Sequence, residues 1–221
     1  MKDMKSYLRA LVPFSLLGCA HGALAQTYQY PASPPMRPVQ WYLDGGVGIT
    51  QGQTADDFSN GWTIGTGVLV RPDPTQPVAL RFDVDYMRSE ATGQFIAANE
   101  AATQTPIDHG SLQTVSGFVG PMLELPLSPW MRLYATGGVG IGYRRVELTQ
   151  NGFFCDPFFC GSGGGHVLVA SSDSTHFAWN AGAGVDFALP GGQFWFVEAR
   201  YERIETEGAT EVVPIRIGIR F

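Results

Sequence analysis

The chain ends in Ile215-Arg216-Ile217-Gly218-Ile219-Arg220-Phe221, in which an apolar residue occupies every second position. Successive side chains of a β-strand point to opposite faces of the sheet, so this period of two predicts a strand with one apolar face. The other face carries Arg216 and Arg220. A strand of this kind separates an apolar environment from a polar one.

The same alternation recurs from about residue 40 onward. One face of each segment is apolar and the other carries charged residues or Gly, as where Val84 lies between Asp83 and Asp85. Such segments, bounded by turn residues, are typical of strands, and we therefore predict eight of them. They are 41–49, 62–70, 80–86, 115–125, 133–143, 177–187, 195–201 and 213–221.

The composition excludes several other classes of protein. The 221 residues include 28 Gly and 15 Pro, which disfavour a helical bundle, and 44% apolar residues, which disfavour disorder. No stretch approaches the roughly 20 apolar residues of a transmembrane helix. The net charge of −6 argues against a nucleic-acid partner, because nucleic acid requires a basic face.

The apolar faces could pack inside a soluble sandwich or lipocalin, or they could face lipid. The strands have about 10 residues, which is enough to cross the hydrocarbon layer at a tilt of about 45°. The connections alternate between short and long, as they do at the two rims of outer-membrane barrels. The short ones are 72–77, 126–129 and 190–193, and the long ones are 51–61, 89–110, 146–176 and 206–211.

Aromatic residues near the strand ends also favour lipid, because Trp and Tyr concentrate at membrane interfaces. They are Trp41, Trp62, Tyr86, Trp130, Tyr143, Trp195, Tyr201 and Phe221. We therefore predict an all-β protein, an eight-stranded antiparallel up-and-down transmembrane β-barrel over residues 39–221.

The N-terminal residues predict export. Residues 1–25 combine a basic start, an apolar centre and an Ala-x-Ala cleavage site, which is the pattern of a signal peptide. Lipidation at Cys19 is the alternative to ordinary cleavage. Residues 26–38 are rich in Pro and polar groups, and we expect them to form a periplasmic linker.

Two glycine-rich strands, 134–143 and 181–187, and the C-terminal segment resemble those of small eight-stranded bacterial outer-membrane barrels, the opacity-protein and OmpA/OmpX-like group. The resemblance implies a location in the bacterial outer membrane, with the long loops extracellular and outer-membrane lipid around the barrel. It also implies that the barrel-assembly machinery reads the terminal signal, which consists of Ile215, Ile217, Ile219 and Phe221.

Charged residues on the inward faces bear on the lumen. An eight-stranded barrel is just wide enough for side chains to fill it, so we expect paired Arg and carboxylate groups to close the interior. The alternative is that inward Gly residues open a narrow channel. The predicted network comprises Asp44, Arg81, Asp83, Asp85, Glu124, Arg132, Asp186, Glu198, Arg200, Glu202, Arg216 and Arg220.

The loop 146–176 is the most distinctive connection. It contains Cys155 and Cys160, which we expect to form a local disulfide in an oxidising compartment. Four Phe residues surround the pair and either pack on the rim or form an exposed apolar patch. Since long loops are commonly functional, we expect this one to contact an extracellular or host ligand.

Catalysis has little support in the sequence. His109, His166 and His176 lie in predicted loops, and none stands in a recognisable Ser–His–acid spacing. We therefore expect a non-enzymatic barrel without cofactor or metal and with a structural or surface-interaction role, like an adhesin or opacity protein. The alternatives are a narrow pore for small solutes and a lipid A-modifying barrel enzyme.

The terminal signal generates a first prediction. Deletion of Phe221 should lower the amount of folded barrel in the outer membrane, because the assembly machinery would lose the aromatic end of its signal. The measurement is the heat-modifiable fraction on gels of isolated membranes. Unchanged insertion of the shortened chain would count against the signal.

Overall fold

The computed structural model describes residues 37–73, 75–155, 160–206 and 208–221. The predicted signal peptide, the alternative lipidation at Cys19 and residues 26–36 of the linker lie outside these ranges. The eight strands form one closed antiparallel barrel, which confirms the predicted fold class. They are β1 (Val39–Gln51), β2 (Gly61–Val70), β3 (Val78–Glu90), β4 (His109–Ser128), β5 (Met131–Cys155), β6 (Cys160–Ala188), β7 (Phe194–Ile204) and β8 (Thr210–Arg220).

The barrel closes where β8 pairs with β1. The paired residues run from Tyr42 opposite Arg220 to Gln51 opposite Glu211. Below them Trp41 and Phe221 exchange backbone hydrogen bonds of 3.0 and 2.9 Å, so the terminal aromatic residue completes the seam. Closure removes the unpaired strand edges that hydrocarbon cannot solvate.

The two faces of each strand differ sharply in exposure. Val84, Val139 and Ile217 are more than half exposed on the outer surface, at 56%, 53% and 51%. Their immediate neighbours Asp85 and Arg216 are 3% and 2% exposed, inside the barrel. The alternation therefore turns apolar side chains to lipid and charged side chains to the lumen.

Aromatic side chains pair across neighbouring strands at both ends of the apolar surface. Trp62 packs against Tyr86 at 5.2 Å between ring centres, and Trp179 packs against Tyr201 at 5.3 Å. At the other end the rings of Trp130 and Phe187 stack at 6.3 Å. These pairs lie where the interfacial girdles of outer-membrane barrels are found.

The connections distinguish the two rims. Residues 71–77, 129–130 and 189–193 make short connections at the rim where β1 begins and β8 ends. The opposite, extracellular rim carries α1 (Gly52–Asp57) and α2 (Gly93–Thr103). No helix in the described ranges has the length and apolar character needed to cross a membrane.

The described parts of residues 146–176 form a protruding hairpin, whereas we predicted a loop. β5 and β6 stay paired from Met131 opposite Phe187 to Cys155 opposite Cys160. β7 accompanies β6 only from Ala178 onward. The hairpin extends because each strand satisfies the backbone groups of the other, and the described part contains β-branched residues such as Val167 and Val169 that favour strands.

The facing of the strands generates a second prediction. Val84→Arg, Val139→Arg and Ile217→Arg should each lower the free energy of unfolding by about 2–4 kcal/mol, because the charge would lie in hydrocarbon. Denaturant unfolding of the protein in phospholipid vesicles measures this. The control is Ala170→Arg, on an exposed hairpin residue, with an expected change within about 0.5 kcal/mol.

Cysteine labelling tests the same facing. A water-soluble maleimide should not react with Ile217→Cys in the membrane. Labelling of that variant, together with protection of Arg216→Cys by lipid, would shift the register by one residue and invert every facing assignment.

Candidate functional site

The periplasmic half of the lumen contains one cluster of ion pairs. Arg71 contacts Glu124 at 2.5 Å, and Arg220 contacts Asp186 at 2.7 Å and Glu124 at 3.4 Å. Arg132 lies 3.5 Å from Asp186 and 3.7 Å from Glu124. Three guanidinium groups thus share two buried carboxylates.

A second cluster crosses the middle of the lumen. Arg81 binds Glu198 through two guanidinium nitrogens and contacts Asp83 at 2.7 Å. Arg200, on the strand that carries Glu198, contacts the other oxygen of Asp83 at 3.1 Å. Arg81 and Glu198 lie on β3 and β7, so their contact spans the barrel interior.

Arg216 extends this second cluster to β8. It contacts Asp85 at 2.7 Å and Glu202 at 2.9 Å. Asp44 is more loosely held, since its nearest guanidinium contact is with Arg216 Nε at 3.7 Å. The structure places all the charged residues of the predicted network inside the barrel, and Arg71 joins them.

Arg144, which the alternation also turns inward, lies apart from both clusters. It is only partly buried, and its guanidinium carbon lies 5.9 Å from the ring centre of Phe58. Phe58 is 1% exposed and packs against Phe95 of α2 at 5.0 Å. The connection between α1 and β2 therefore buries an aromatic ring at the extracellular mouth.

In α1, the pKa of Asp57 is raised, first by desolvation and then by the neighbouring Asp56.

Apolar side chains fill the lumen between and beside the charges. Arg132 lies over the ring of Phe194 at 3.9 Å, and Arg220 lies over that of Phe196 at 5.2 Å. The alternation in the sequence indicates that these Phe residues point into the lumen, because they share a face with Glu198. Two buried apolar groups result, one of Tyr42, Leu69, Ala79, Met122, Tyr134 and Phe196, and one of Phe118, Ala178 and Ile204.

Glycine makes room for the large inward rings. A Cβ atom at Gly67 would lie 2.3 Å from the hydroxyl of Tyr42, and one at Gly184 would lie 2.4 Å from that of Tyr134. Any other residue at these positions would displace a buried Tyr. The space beside these two glycines is thus occupied by neighbouring side chains.

The hairpin presents a free strand edge above the barrel. β6 is paired with β5 at His166, but its other edge has no partner strand in the described structure until Ala178. Val167 and Leu168 on this stretch are more than half exposed.

The predicted disulfide lies at the tip of the hairpin. The backbone register brings Cys155 opposite Cys160. Directly opposed residues of an antiparallel pair have a Cα separation that a disulfide can span. The two side chains, and those of the four Phe residues around them, lie outside the described residues, so the disulfide stays a prediction.

His109, His166 and His176 lie on strands rather than in the predicted loops, the first on β4 and the other two on β6. In the described ranges no hydrogen bond joins a histidine side chain to Ser, Asp or Glu, and no three His, Cys, Asp or Glu side chains surround a common metal position. The rings of His109 and His166 lie 5.5 Å apart and nearly perpendicular.

Comparison with known proteins identifies the family. A family model described as the outer membrane protein beta-barrel domain matches residues 12–219. No curated protein matches the chain.

Solved structures share the fold at low sequence identity. Neisserial surface protein A is 14% identical, with a TM-score of 0.51 over 83% of this chain and 96% of that chain. A major outer membrane protein from Thermus thermophilus is 13% identical, with a TM-score of 0.50 over 84% of this chain and 99% of that chain. With the closed eight-stranded ring and its apolar outer surface, the match over nearly the whole sequence shows that the chain belongs to the outer membrane protein β-barrel family and lies in the bacterial outer membrane.

Proposed function

We propose that the protein is a non-enzymatic surface-interaction barrel, in which the membrane-embedded part is a closed scaffold and the hairpin 146–176 binds an extracellular partner. The observation that carries the proposal is the free edge of β6 over residues 166–176, which ends where the carbonyl of Phe177 accepts from the backbone N–H of Glu205 at 2.9 Å. There β6 is hydrogen-bonded to β5 on one side only. The opposite edge offers backbone donors and acceptors to a further strand.

The chemistry of this edge defines the kind of partner. An extended polypeptide segment can add to a free strand edge through main-chain hydrogen bonds, and side chains on alternate positions then supply specificity. Val167 and Leu168 would contribute apolar contacts, while the polar run 171–175 would contribute hydrogen bonds. The partner class is therefore an extended segment of a host or neighbouring surface protein.

The contents of the lumen support a scaffold rather than a pore. The ion pairs cross the interior from β3 to β7, and buried apolar groups fill the space beside them. At the extracellular mouth Phe58 is buried under α1 and α2. Opening a water path would require breaking buried pairs, which is costly because each charge would lose its partner in a confined space.

The closed lumen generates a third prediction. Glu198→Ala should lower the free energy of unfolding by about 3–5 kcal/mol, because it leaves Arg81 buried without its main partner. Denaturant unfolding in vesicles measures this. The matched control is Glu205→Ala, which removes an exposed partner of Arg203 and should cost less than about 1 kcal/mol.

Planar-bilayer recordings test the same closure. We expect the refolded wild-type protein to show no steady single-channel steps. Reproducible steps in the wild type, together with a small stability loss in Glu198→Ala, would favour the alternative of a narrow pore.

The free edge generates a fourth prediction, which uses peptides selected from a random phage library against the protein in nanodiscs. Pro introduced singly at Ser171, Ser172 and Asp173 should abolish peptide binding only at alternate positions, where the N–H points away from β5. At those positions an edge strand tolerates Pro, so the hairpin itself should remain folded. Heat-modifiability controls for barrel folding.

Either of two results would contradict the binding proposal. If the selected peptides bind all three Pro variants as they bind the wild type, the edge of β6 is not the binding site. If no selected peptide depends on the hairpin, the proposed role of residues 146–176 fails.

A further inference from the structure

A cavity of about 560 Å³ opens at the extracellular rim, between α2 and the strands β3 to β6. Ile96 lines it from the helix side. Two histidines and two carboxylates line it from the strands, and Asp108 lines it from the residue before β4; the strand residues are His109, His166, Glu90 and Glu147. His166 lies where the free edge of β6 begins, but the other residues that line the cavity lie outside that edge.

The two histidines are held at a spacing that suits a shared metal ion. Their ring centres lie 5.5 Å apart with an interplanar angle of 83°. When two imidazoles ligate one tetrahedral Zn²⁺ at Zn–N distances of about 2.0–2.1 Å, their ring centres lie about 5 Å apart. Both side chains are exposed, so an ion from the medium can reach them.

The backbone explains why this pair comes together. His109 is the first residue of β4 and lies opposite Thr149 of β5, while His166 of β6 lies opposite Asn151. The two histidines thus flank β5 from either side, at positions two residues apart along it. The backbone N–H of Asn151 donates to Asp108 at 2.7 Å, which fixes the chain just before His109.

The charges around the cavity favour a divalent cation. Glu90, Asp108 and Glu147 border it together with Arg88, and Glu147 pairs with Arg145 at 2.6 Å, which leaves an excess of one negative charge. Nearby carboxylates raise the local concentration of cations. Imidazole nitrogen selects Zn²⁺, Cu²⁺ and Ni²⁺ over Mg²⁺ and Ca²⁺, which prefer oxygen ligands.

We propose that His109 and His166 bind a borderline transition-metal ion of the Zn²⁺ class at the cell surface, with water in its remaining coordination positions. The bound ion links β4 to β6 across β5 at the root of the protruding hairpin. Because the folded hairpin brings the two ligands together, the ion stabilises it by mass action.

The test is calorimetric titration of tag-free, refolded protein with ZnCl₂. We expect one site in the wild type. Loss even of a residue that hydrogen-bonds to a metal ligand commonly weakens binding 10–100-fold, so His109→Ala and His166→Ala should each weaken Zn²⁺ binding at least about tenfold. The matched control, His176→Ala, should bind as the wild type does, and CaCl₂ should show no histidine-dependent binding.

Chemical modification of the wild type provides a second measurement that needs no variant. Zn²⁺ should protect His109 and His166, but not His176, from diethylpyrocarbonate, as read by mass spectrometry. Wild-type protein that binds no Zn²⁺ would overturn the proposal, as would unchanged affinity in His109→Ala and His166→Ala or equal protection of all three histidines. Loss of peptide binding would leave this site intact, so the two proposals fail independently.

Discussion

The need to pair every backbone N–H and C=O group in hydrocarbon controls the rest of this structure. A strand in lipid has no water to satisfy its edge, so β8 must return to β1, and the backbone bonds between Trp41 and Phe221 complete that seam. Closure with eight strands leaves an interior only as wide as side chains. The interior must then be filled by the residues that alternate with the lipid-facing ones.

The filling combines charge pairing with apolar packing, and each depends on the other. A lumen of charges alone would leave gaps, whereas a lumen of apolar residues would lack the partners that fix a unique arrangement. Here Arg132 and Arg220 lie over aromatic rings while their guanidinium nitrogens contact Asp186. Removing one member of such a buried pair costs more than an exposed pair contributes, because the remaining charge stays away from water.

Much of the barrel could be predicted from the sequence, because alternation with a period of two residues shows directly which residues share a face. Thus Val84 faces lipid and Asp85 faces the lumen. The partners inside the lumen could not be predicted, since Arg81 and Glu198 lie 117 residues apart and meet only after closure. The two Phe residues that share a face with Glu198 were harder to place, because the start of β7 is apolar on both faces. The hairpin could not be predicted either, because alternation does not reveal whether a strand leaves the membrane with its partner.

The hairpin is subject to the same requirement for backbone hydrogen bonds, but in water instead of hydrocarbon. Within the membrane β6 has partners on both sides, but beyond Phe177, whose carbonyl still accepts from the backbone N–H of Glu205, it keeps only β5. Water can satisfy the exposed edge, so the edge that would be forbidden in hydrocarbon is tolerated above it. A partner strand would replace that water with main-chain bonds of the kind that close the barrel. Scaffold and binding surface are therefore parts of one continuous sheet, and the height of the membrane surface decides which role each segment can have.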